Sequence, residues 1–328
     1  MIAFCRQAGP DLLNEQKVSQ LSKTHLGRLL LKIFSEHTLN TVFQPIVDLK
    51  THQVYAVEAL TRGPEQTPLY NPLSLFGAAA EHDCLDEMDW LARQVAIANY
   101  KEQASIHKNQ IKLFLNVTVN LLQKTTQSGR TLQCLKELGI SPEQVVIELT
   151  ELQPVEDYEQ FLNSIQHYRE MGFLVAVDDL GSGYNGLRIW SEVKPDFVKI
   201  DRHFIQDVNR YPEKKNFLEV MLTLSQKMGT KVIAEGIETE DELRVIETLG
   251  VDYVQGFLLA KPQPMIVFQP KYLWSRQHHI HQDQDYEETV GSIAVPDLTI
   301  SPDYSAAKLD RLLLKETFAR EGSTAKNG

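Results

Sequence analysis

The chain has 328 residues, of which 42% are hydrophobic and 23% charged, and its formal net charge is −11. These fractions are ordinary for a globular protein and exclude a chain that is disordered throughout. The negative charge argues against a protein that grips polymeric nucleic acid through a basic surface. It does not exclude a small phosphorylated ligand held through metal ions, because the ions supply positive charge.

The cysteines and the apolar segments indicate the compartment. Cys5, Cys84 and Cys134 are few, widely spaced and without a Cys-x-x-Cys pair, which is typical of a reducing environment. The first residues contain no apolar stretch of the kind found in signal peptides, and no segment approaches the ~18 uninterrupted apolar residues of a membrane span. We therefore expect a cytoplasmic chain without membrane contact.

Residues 1–39 are polar with a late helical pattern. Leu26, Leu29, Leu30, Ile33 and Phe34 recur at helical spacing, which predicts one apolar face. This segment is predicted to be a helical lead-in that packs on the domain after it.

From residue 40 to residue 266 the chain repeats a short apolar, β-branched run followed by a longer amphipathic stretch. The eight runs span residues 41–49, 54–60, 111–117, 144–151, 173–179, 196–201, 231–236 and 253–259. Strand–helix alternation with near-continuous apolar strands predicts a mostly parallel sheet. Eight such strands predict an α/β protein with a TIM-like (β/α)8 barrel.

The join between the first two runs departs from that pattern. Only six residues separate Val47 from Val54, whereas a parallel crossover needs about a dozen or more. The first strand is therefore predicted to be antiparallel to the second. Its beginning, Gln44, then lies at the same end of the barrel as Glu58, near the close of the second strand.

The composition changes beyond the barrel. Residues 267–289 are mostly polar and predict a linker. Residues 290–328 offer one strand and one helix, too little to form a core alone. We interpret them as the possible start of a truncated further domain, compatible with a CBS-like module.

Polar residues stand where the predicted strands end, which in barrels is the catalytic end. They are Glu58, Asn116, Glu148 with Glu151, Asp178 with Asp179, Lys199 with Asp201, Glu235 with Glu238, and Gln255. So many carboxylates at one mouth repel each other unless cations neutralise them. Carboxylate and amide oxygens favour Mg²⁺ or Mn²⁺ over zinc.

These residues lie in motifs that resemble the EAL domain, the bacterial family that hydrolyses cyclic di-GMP. The motifs, in chain order, are Phe43-Gln44-Pro45-Ile46-Val47, Glu58-Ala59-Leu60 with Arg62, Asn116, Glu148-Leu149-Thr150-Glu151, Asp178-Asp179, Lys199-Ile200-Asp201, Glu235-Gly236-Ile237-Glu238 and Gln255-Gly256-Phe257. The resemblance covers about residues 40–266. It implies hydrolysis to linear pGpG in bacterial second-messenger signalling, with two divalent cations per site.

The resemblance also implies roles for individual residues. Glu58, Asn116, Glu148 and Asp178 resemble ligands of the first metal, and Asp178 with Asp179 ligands of the second. Lys199 resembles the residue that orients the attacking water, Glu235 its base or a metal ligand, and Glu151 a loop anchor. Gln44, Leu60, Arg62 and Gln255 match positions that contact the nucleotide, and Asp201 and Glu238 are supporting acids.

One loop departs from the family pattern. Residues 178–187 read Asp-Asp-Leu-Gly-Ser-Gly-Tyr-Asn-Gly-Leu, where the family usually has Asp-Asp-Phe-Gly-Thr-Gly-Tyr-Ser-Ser-Leu. The same residues imitate a G-x-G-x-x-G dinucleotide fingerprint, but two carboxylates directly before the loop would repel a pyrophosphate. In the family this loop couples dimerisation to the metal site. The resemblance therefore implies a homodimer, with the helix of about Glu213–Met228 as its contact.

A binding module is the alternative to an enzyme. In it the same barrel captures cyclic di-GMP and signals without cutting it. Incubation with cyclic di-GMP and a divalent cation separates the two hypotheses, because a silent receptor leaves the ligand intact.

Overall fold

Eight strands form a closed barrel in the computed structural model, which describes residues 12–104, 111–118, 125–150, 157–181 and 186–270. The strands are β1 Asn40–Asp48, β2 Gln53–Arg62, β3 Lys112–Val117, β4 Val145–Thr150, β5 Leu174–Leu180, β6 Phe197–Ile200, β7 Lys231–Ala234 and β8 Tyr253–Val254. They follow one another around the barrel in chain order. The predicted fold is confirmed.

The first strand runs against its neighbours on both sides. β1 is antiparallel to β2 and to β8, whereas the pairs from β2 to β8 are parallel. Gln44 pairs with Glu58 in the β1–β2 register. The predicted hairpin and the position of Gln44 are therefore confirmed.

Ten α-helices surround the strands in the described residues. They are α1 Glu15–Leu21, α2 His25–Glu36, α3 Pro72–Glu81, α4 Leu85–Ala104, α5 Thr125–Leu138, α6 Tyr158–Glu170, α7 Gly186–Val193, α8 Arg202–Ile205, α9 Pro212–Met228 and α10 Glu240–Leu249. Local chemistry sets several of their ends. Asn71 caps α3 by accepting a hydrogen bond from the N–H of Leu73, with Pro72 at the first position.

The lead-in forms two helices rather than one. Thr24 is the last residue between the two helices. It caps α2, because its hydroxyl accepts a hydrogen bond from the N–H of Gly27 at 2.9 Å. The apolar face of α2, with Leu30, Ile33 and Phe34, is buried in one cluster with residues of α3 and α4. The lead-in thus packs on α3 and α4.

Apolar side chains pack on both faces of the barrel wall and form two regions. The larger lies between the strands and the helices and includes Trp90 and Trp190. The smaller fills the barrel and takes one residue from each strand. A barrel of this kind is a packed core rather than a pore.

Most of the predicted linker 267–289, and all of residues 290–328, lie outside the described residues. Within the part that the structure describes, none of the helices combines the length and the apolar character needed to cross a bilayer.

Candidate metal centre

The barrel interior is organised in two rings stacked along its axis. The apolar ring consists of Ile46, Ala56, Phe114, Val146, Ala176, Phe197, Ile233 and Tyr253. The polar ring consists of Gln44, Glu58, Asn116, Glu148, Asp178, Lys199, Glu235 and Gln255. Each polar residue lies two positions from the apolar residue of its own chain segment, so strand alternation directs both inward. In β1 the polar residue comes first because that strand is reversed.

Lys199 lies at the centre of the polar ring. Its Nζ is 2.7 Å from Glu235 Oε1, 2.8 Å from Glu148 Oε1, 3.0 Å from Asp178 Oδ1 and 3.2 Å from Glu58 Oε2. The lysine side chain is 1% exposed. The buried ammonium group of Lys199 thus faces four carboxylate groups.

Neutral side chains orient Glu58 from the other side. Gln255 Nε2 donates to Glu58 Oε2 at 2.7 Å and to Gln44 Oε1 at 3.1 Å. Asn116 Nδ2 donates to Glu58 Oε1 at 3.1 Å. Gln44 is itself held by donating to the carbonyl oxygen of Ala260. The first strand therefore contributes to the site, as its reversal predicts.

Burial and mutual repulsion raise the pKa of most of these carboxyl groups. Burial is the main cause for Glu148, with the charge of Glu58 second, and its pKa lies well above the usual value. Burial likewise raises the pKa of Glu235 to about 8, although Lys199 opposes the shift. Glu58 differs: burial acts to raise its pKa, but Lys199 and the donors Gln255 and Asn116 together bring it below the usual value.

Asp179 joins the site through an unusual backbone conformation. Strand alternation would direct Asp178 and Asp179 to opposite faces, but Asp179 has a φ of 54° in the left-handed region. One oxygen each of Asp178, Asp179 and Glu235 lie within 4.8 Å of one another. Burial, followed by the charge of Asp178, raises the pKa of Asp179 to about 6. Two successive carboxylates thus approach one point.

The residues present fit a divalent cation. Glu148 is 0% exposed, and its Oε2 has no hydrogen-bond partner among the described residues. A buried carboxylate oxygen without a donor is costly unless a cation approaches it. All the atoms that could ligate a metal here are oxygens, which favours Mg²⁺, Mn²⁺ or Ca²⁺ over zinc.

The other predicted site residues lie around this centre. Leu60 and Arg62 follow Glu58 on the same face of β2, further towards the mouth, and the Arg62 guanidinium donates to the carbonyl oxygen of Thr61. Asp201 caps α8 by accepting from the N–H of His203. Glu238 pairs with Arg202 at 2.9 Å, outside the polar ring. The predicted loop anchor Glu151 lies outside the described residues, as do residues 182–185.

Sequence reasoning missed the support behind Asn116. Thr118, two residues later, donates to Asp89 of α4, which pairs with Arg93 of the same helix. Two opposite charges four residues apart within the otherwise apolar middle of α4 were the available signal.

Comparison with known proteins identifies the family. The profile of the EAL domain matches residues 28–262, so the chain belongs to the EAL-domain family. PdeR of Escherichia coli (strain K12), a cyclic di-GMP phosphodiesterase, is 30% identical over 247 residues, which are 74% of this chain and 37% of PdeR. PdeI of the same strain, a probable cyclic di-GMP phosphodiesterase, is 29% identical over 227 residues, 68% of this chain and 29% of PdeI. The chain thus spans about a third of the length of these relatives.

Solved structures have the same fold. A standalone EAL protein from Vibrio cholerae O395, in its cyclic di-GMP-bound form, is 27% identical and has a TM-score of 0.64 over 71% of this chain and 97% of its own. Klebsiella pneumoniae BlrP1, in complex with manganese and cyclic di-GMP, has a TM-score of 0.63 at 24% identity, over 74% of this chain and 67% of its own. The second likeness concerns the fold alone.

Proposed function

We propose that this chain hydrolyses cyclic di-GMP to linear pGpG with two divalent cations. The observation that carries the proposal is the polar ring with Asp179, in which five carboxylates face one lysine at the mouth of the barrel. The names of the relatives PdeR and PdeI support the choice of substrate.

The residues divide into two groups of ligands. Glu58, Asn116, Glu148 and Asp178 would hold one cation, and Asp178 with Asp179 the other, with an oxygen of Glu235 beside them. Bound cations would supply Lewis acidity, which lowers the pKa of a water molecule and neutralises charge on the phosphate. The excess of carboxylates over lysine is the electrostatic reason why the site would take them.

Lys199 and Glu235 then have separate tasks in the reaction. The Lys199 ammonium would stabilise negative charge on the attacking oxygen. Glu235, ionised once bound cations neutralise the site, would accept a proton from the attacking water. The water oxygen forms a bond to phosphorus while the bond from phosphorus to the 3′ oxygen of the sugar breaks, and that oxygen takes up a proton. One molecule of water is consumed and the ring opens to pGpG. Gln44, Leu60, Arg62 and Gln255 would contact the nucleotide.

The proposal includes a homodimer that forms through α9. Phe217 and Val220 of this helix are exposed, the second at 66%. Phe217 stacks on Phe204 with ring centroids 4.2 Å apart. Phe204 in turn packs so closely against Gly181, two residues after Asp179, that a side chain there would overlap its ring. Light scattering of wild type and Val220→Lys tests this; a wild type that is monomeric at every concentration contradicts it.

Product analysis tests the proposed reaction. Purified wild type is incubated with cyclic di-GMP and Mg²⁺ or Mn²⁺ and the products are separated by chromatography. We expect pGpG from wild type and from Glu65→Ala, whose exposed side chain lies in the loop after β2, and none from Glu58→Ala. Bound but intact cyclic di-GMP in the wild-type sample would establish the receptor hypothesis instead.

A further inference from the structure

A buried ion pair lies behind β3, outside the polar ring. Asp89 and Arg93 of α4 are 3% and 2% exposed. Arg93 donates through Nε to Asp89 Oδ2 at 2.9 Å, and a second guanidinium nitrogen lies 2.7 Å from the same oxygen. The third guanidinium nitrogen donates to Thr131 Oγ1 of α5 at 2.7 Å. Two helices thus fix the guanidinium, and the guanidinium fixes one oxygen of Asp89.

Stability alone is a poor explanation for this pair. Moving two charges out of water costs several kcal/mol per ion in effective terms, and well-packed apolar residues of similar volume often do as well or better. Buried ion pairs are better understood by what they hold in place. The other oxygen of Asp89 shows what that is here.

Asp89 Oδ1 accepts two hydrogen bonds from Thr118. The Thr118 hydroxyl lies at 3.3 Å and the Thr118 backbone N–H at 3.4 Å. Continued strand alternation would turn Thr118 towards the barrel interior with Phe114 and Asn116. It bonds instead to a helix outside the wall, so the chain leaves the barrel at this point.

The position of this contact matters because the end of β3 pairs with only one neighbouring strand. Its ladder with β2 ends at the pair Ala59–Leu115. Asn116 therefore pairs with Glu148 of β4 on one side, and the β2 ladder gives it no partner on the other. Asn116 is also the one member of the polar ring whose side chain is exposed. The two hydrogen bonds from Thr118 to Asp89 restrain the same short segment from outside the barrel wall.

We infer that Asp89 is a positioning residue which, oriented by Arg93, fixes the end of β3 at Thr118 and so aims the Asn116 amide at a divalent cation in the polar ring. This inference rests on the proposed function, in which Asn116 is a metal ligand. Asp89 does not touch substrate or metal. Its effect passes through the backbone of residues 116–118.

Manganese binding tests the inference without reference to turnover. An asparagine at position 89 has one acceptor oxygen, so it cannot serve Arg93 and Thr118 together. Isothermal titration calorimetry with MnCl₂ should show about tenfold weaker binding for Asp89→Asn, the lower end of losses seen for residues that hold a metal ligand in place. Thr118→Val, which keeps the ion pair and the shape of the side chain, should lose less, and Thr118→Ser should bind like wild type.

Asp252→Asn is the matched control. Asp252 also accepts from a cation and a backbone N–H, those of Lys231 and Val232, but it lies at the opposite end of the strands. Its substitution should leave manganese affinity unchanged. If Asp89→Asn fails to fold, judged by circular dichroism, the Thr118→Val and Thr118→Ser pair decides.

The outcomes separate the two proposals. Suppose that the wild-type protein binds manganese, and that folded Asp89→Asn or Thr118→Val binds it with the same affinity. This result would overturn the positioning role and leave the proposed function standing. Equal losses in Asp252→Asn would also overturn it, since the effect would then be general destabilisation. A wild type that binds no manganese would overturn the proposed function and this inference with it.

Discussion

The polar ring and the apolar ring share one geometry and carry opposite chemistry. Both take one inward-facing residue from each chain segment of the barrel, two positions apart. The apolar ring packs aromatic and aliphatic side chains, such as Phe114 and Phe197 with ring centroids 5.3 Å apart. The polar ring instead confines like charges around Lys199. A packed apolar layer thus supports a layer whose own groups repel each other.

The first prediction removes a charge from the polar ring. Glu148→Gln should reduce hydrolysis of cyclic di-GMP by about 10³- to 10⁴-fold, or about 4 to 5.5 kcal/mol of transition-state stabilisation, because a buried ligand oxygen becomes an amide. Without metal the variant should melt no lower than wild type, because burial and the charge of Glu58 already disfavour the ionised form of Glu148 and raise its pKa.

Steady-state assays and thermal melts measure both effects. Glu143→Gln is the control, because this exposed residue precedes the other end of the same strand. Near-normal turnover in Glu148→Gln would show that the polar ring is not the site of catalysis.

The second prediction creates a cavity in the apolar ring. Phe114 is 0% exposed, so Phe114→Ala should lower the free energy of unfolding by about 3 to 5 kcal/mol. The protein that remains folded should still bind metal, because the polar ring is unchanged in composition. Urea denaturation gives the first quantity and calorimetry the second. A loss of less than about 1 kcal/mol would mean that the apolar ring does not carry the stability assigned to it.

The third prediction concerns metal addition. Saturating Mn²⁺ at about 100 times its dissociation constant should stabilise wild type by about 2.7 kcal/mol. Phe114→Ala should gain as much and Glu148→Gln much less. Differential scanning fluorimetry with and without EDTA measures the gain. Equal gains in all three proteins would place the metal elsewhere.

The smallest predicted effect lies outside both rings. Burial acts to raise the pKa of Glu242, but the backbone N–H groups of Asp207, Glu238 and Thr239 bring it below the usual value. A carboxyl group whose pKa is lower in the folded state adds stability above its unfolded pKa, and this contribution is lost as the pH falls through the folded value. Glu242→Gln should therefore cost about 1 to 2 kcal/mol at neutral pH.

Urea unfolding at several pH values measures that cost. The difference between Glu242→Gln and wild type should narrow below about pH 4. Manganese affinity should stay at the wild-type value, and the exposed Glu240→Gln should change neither quantity. A difference that widens in acid would refute the sign of the linkage.

Much of the fold follows from the sequence because apolar runs and join lengths are local signals. Six residues between Val47 and Val54 were enough to predict the reversed first strand. Polar residues at strand ends likewise predicted the polar ring. The pairing of each polar residue with an apolar one two positions away, such as Asn116 with Phe114, was a further signal in the same sequence.

Other features depend on contacts between distant segments. Charged residues on a helix are usually exposed, whereas the burial of Asp89 and Arg93 depends on neighbouring elements such as α5, whose Thr131 accepts a hydrogen bond from Arg93. The central position of Lys199 is likewise a property of four strands together. The division of the lead-in into α1 and α2 depended on a cap at Thr24, which the apolar spacing did not reveal.

The reversed first strand also determines at which end of the barrel the flanking segments of the chain connect to it. In an all-parallel barrel the chain enters at the floor and exits at the catalytic rim. Here Asn40, where β1 begins, pairs with Arg62 at the rim, and the chain also leaves there after Val254. Incoming and outgoing segments even bridge each other, through Phe43 and Gln263. Both flanking segments therefore connect to the barrel at the rim that carries the polar ring, rather than one at each end.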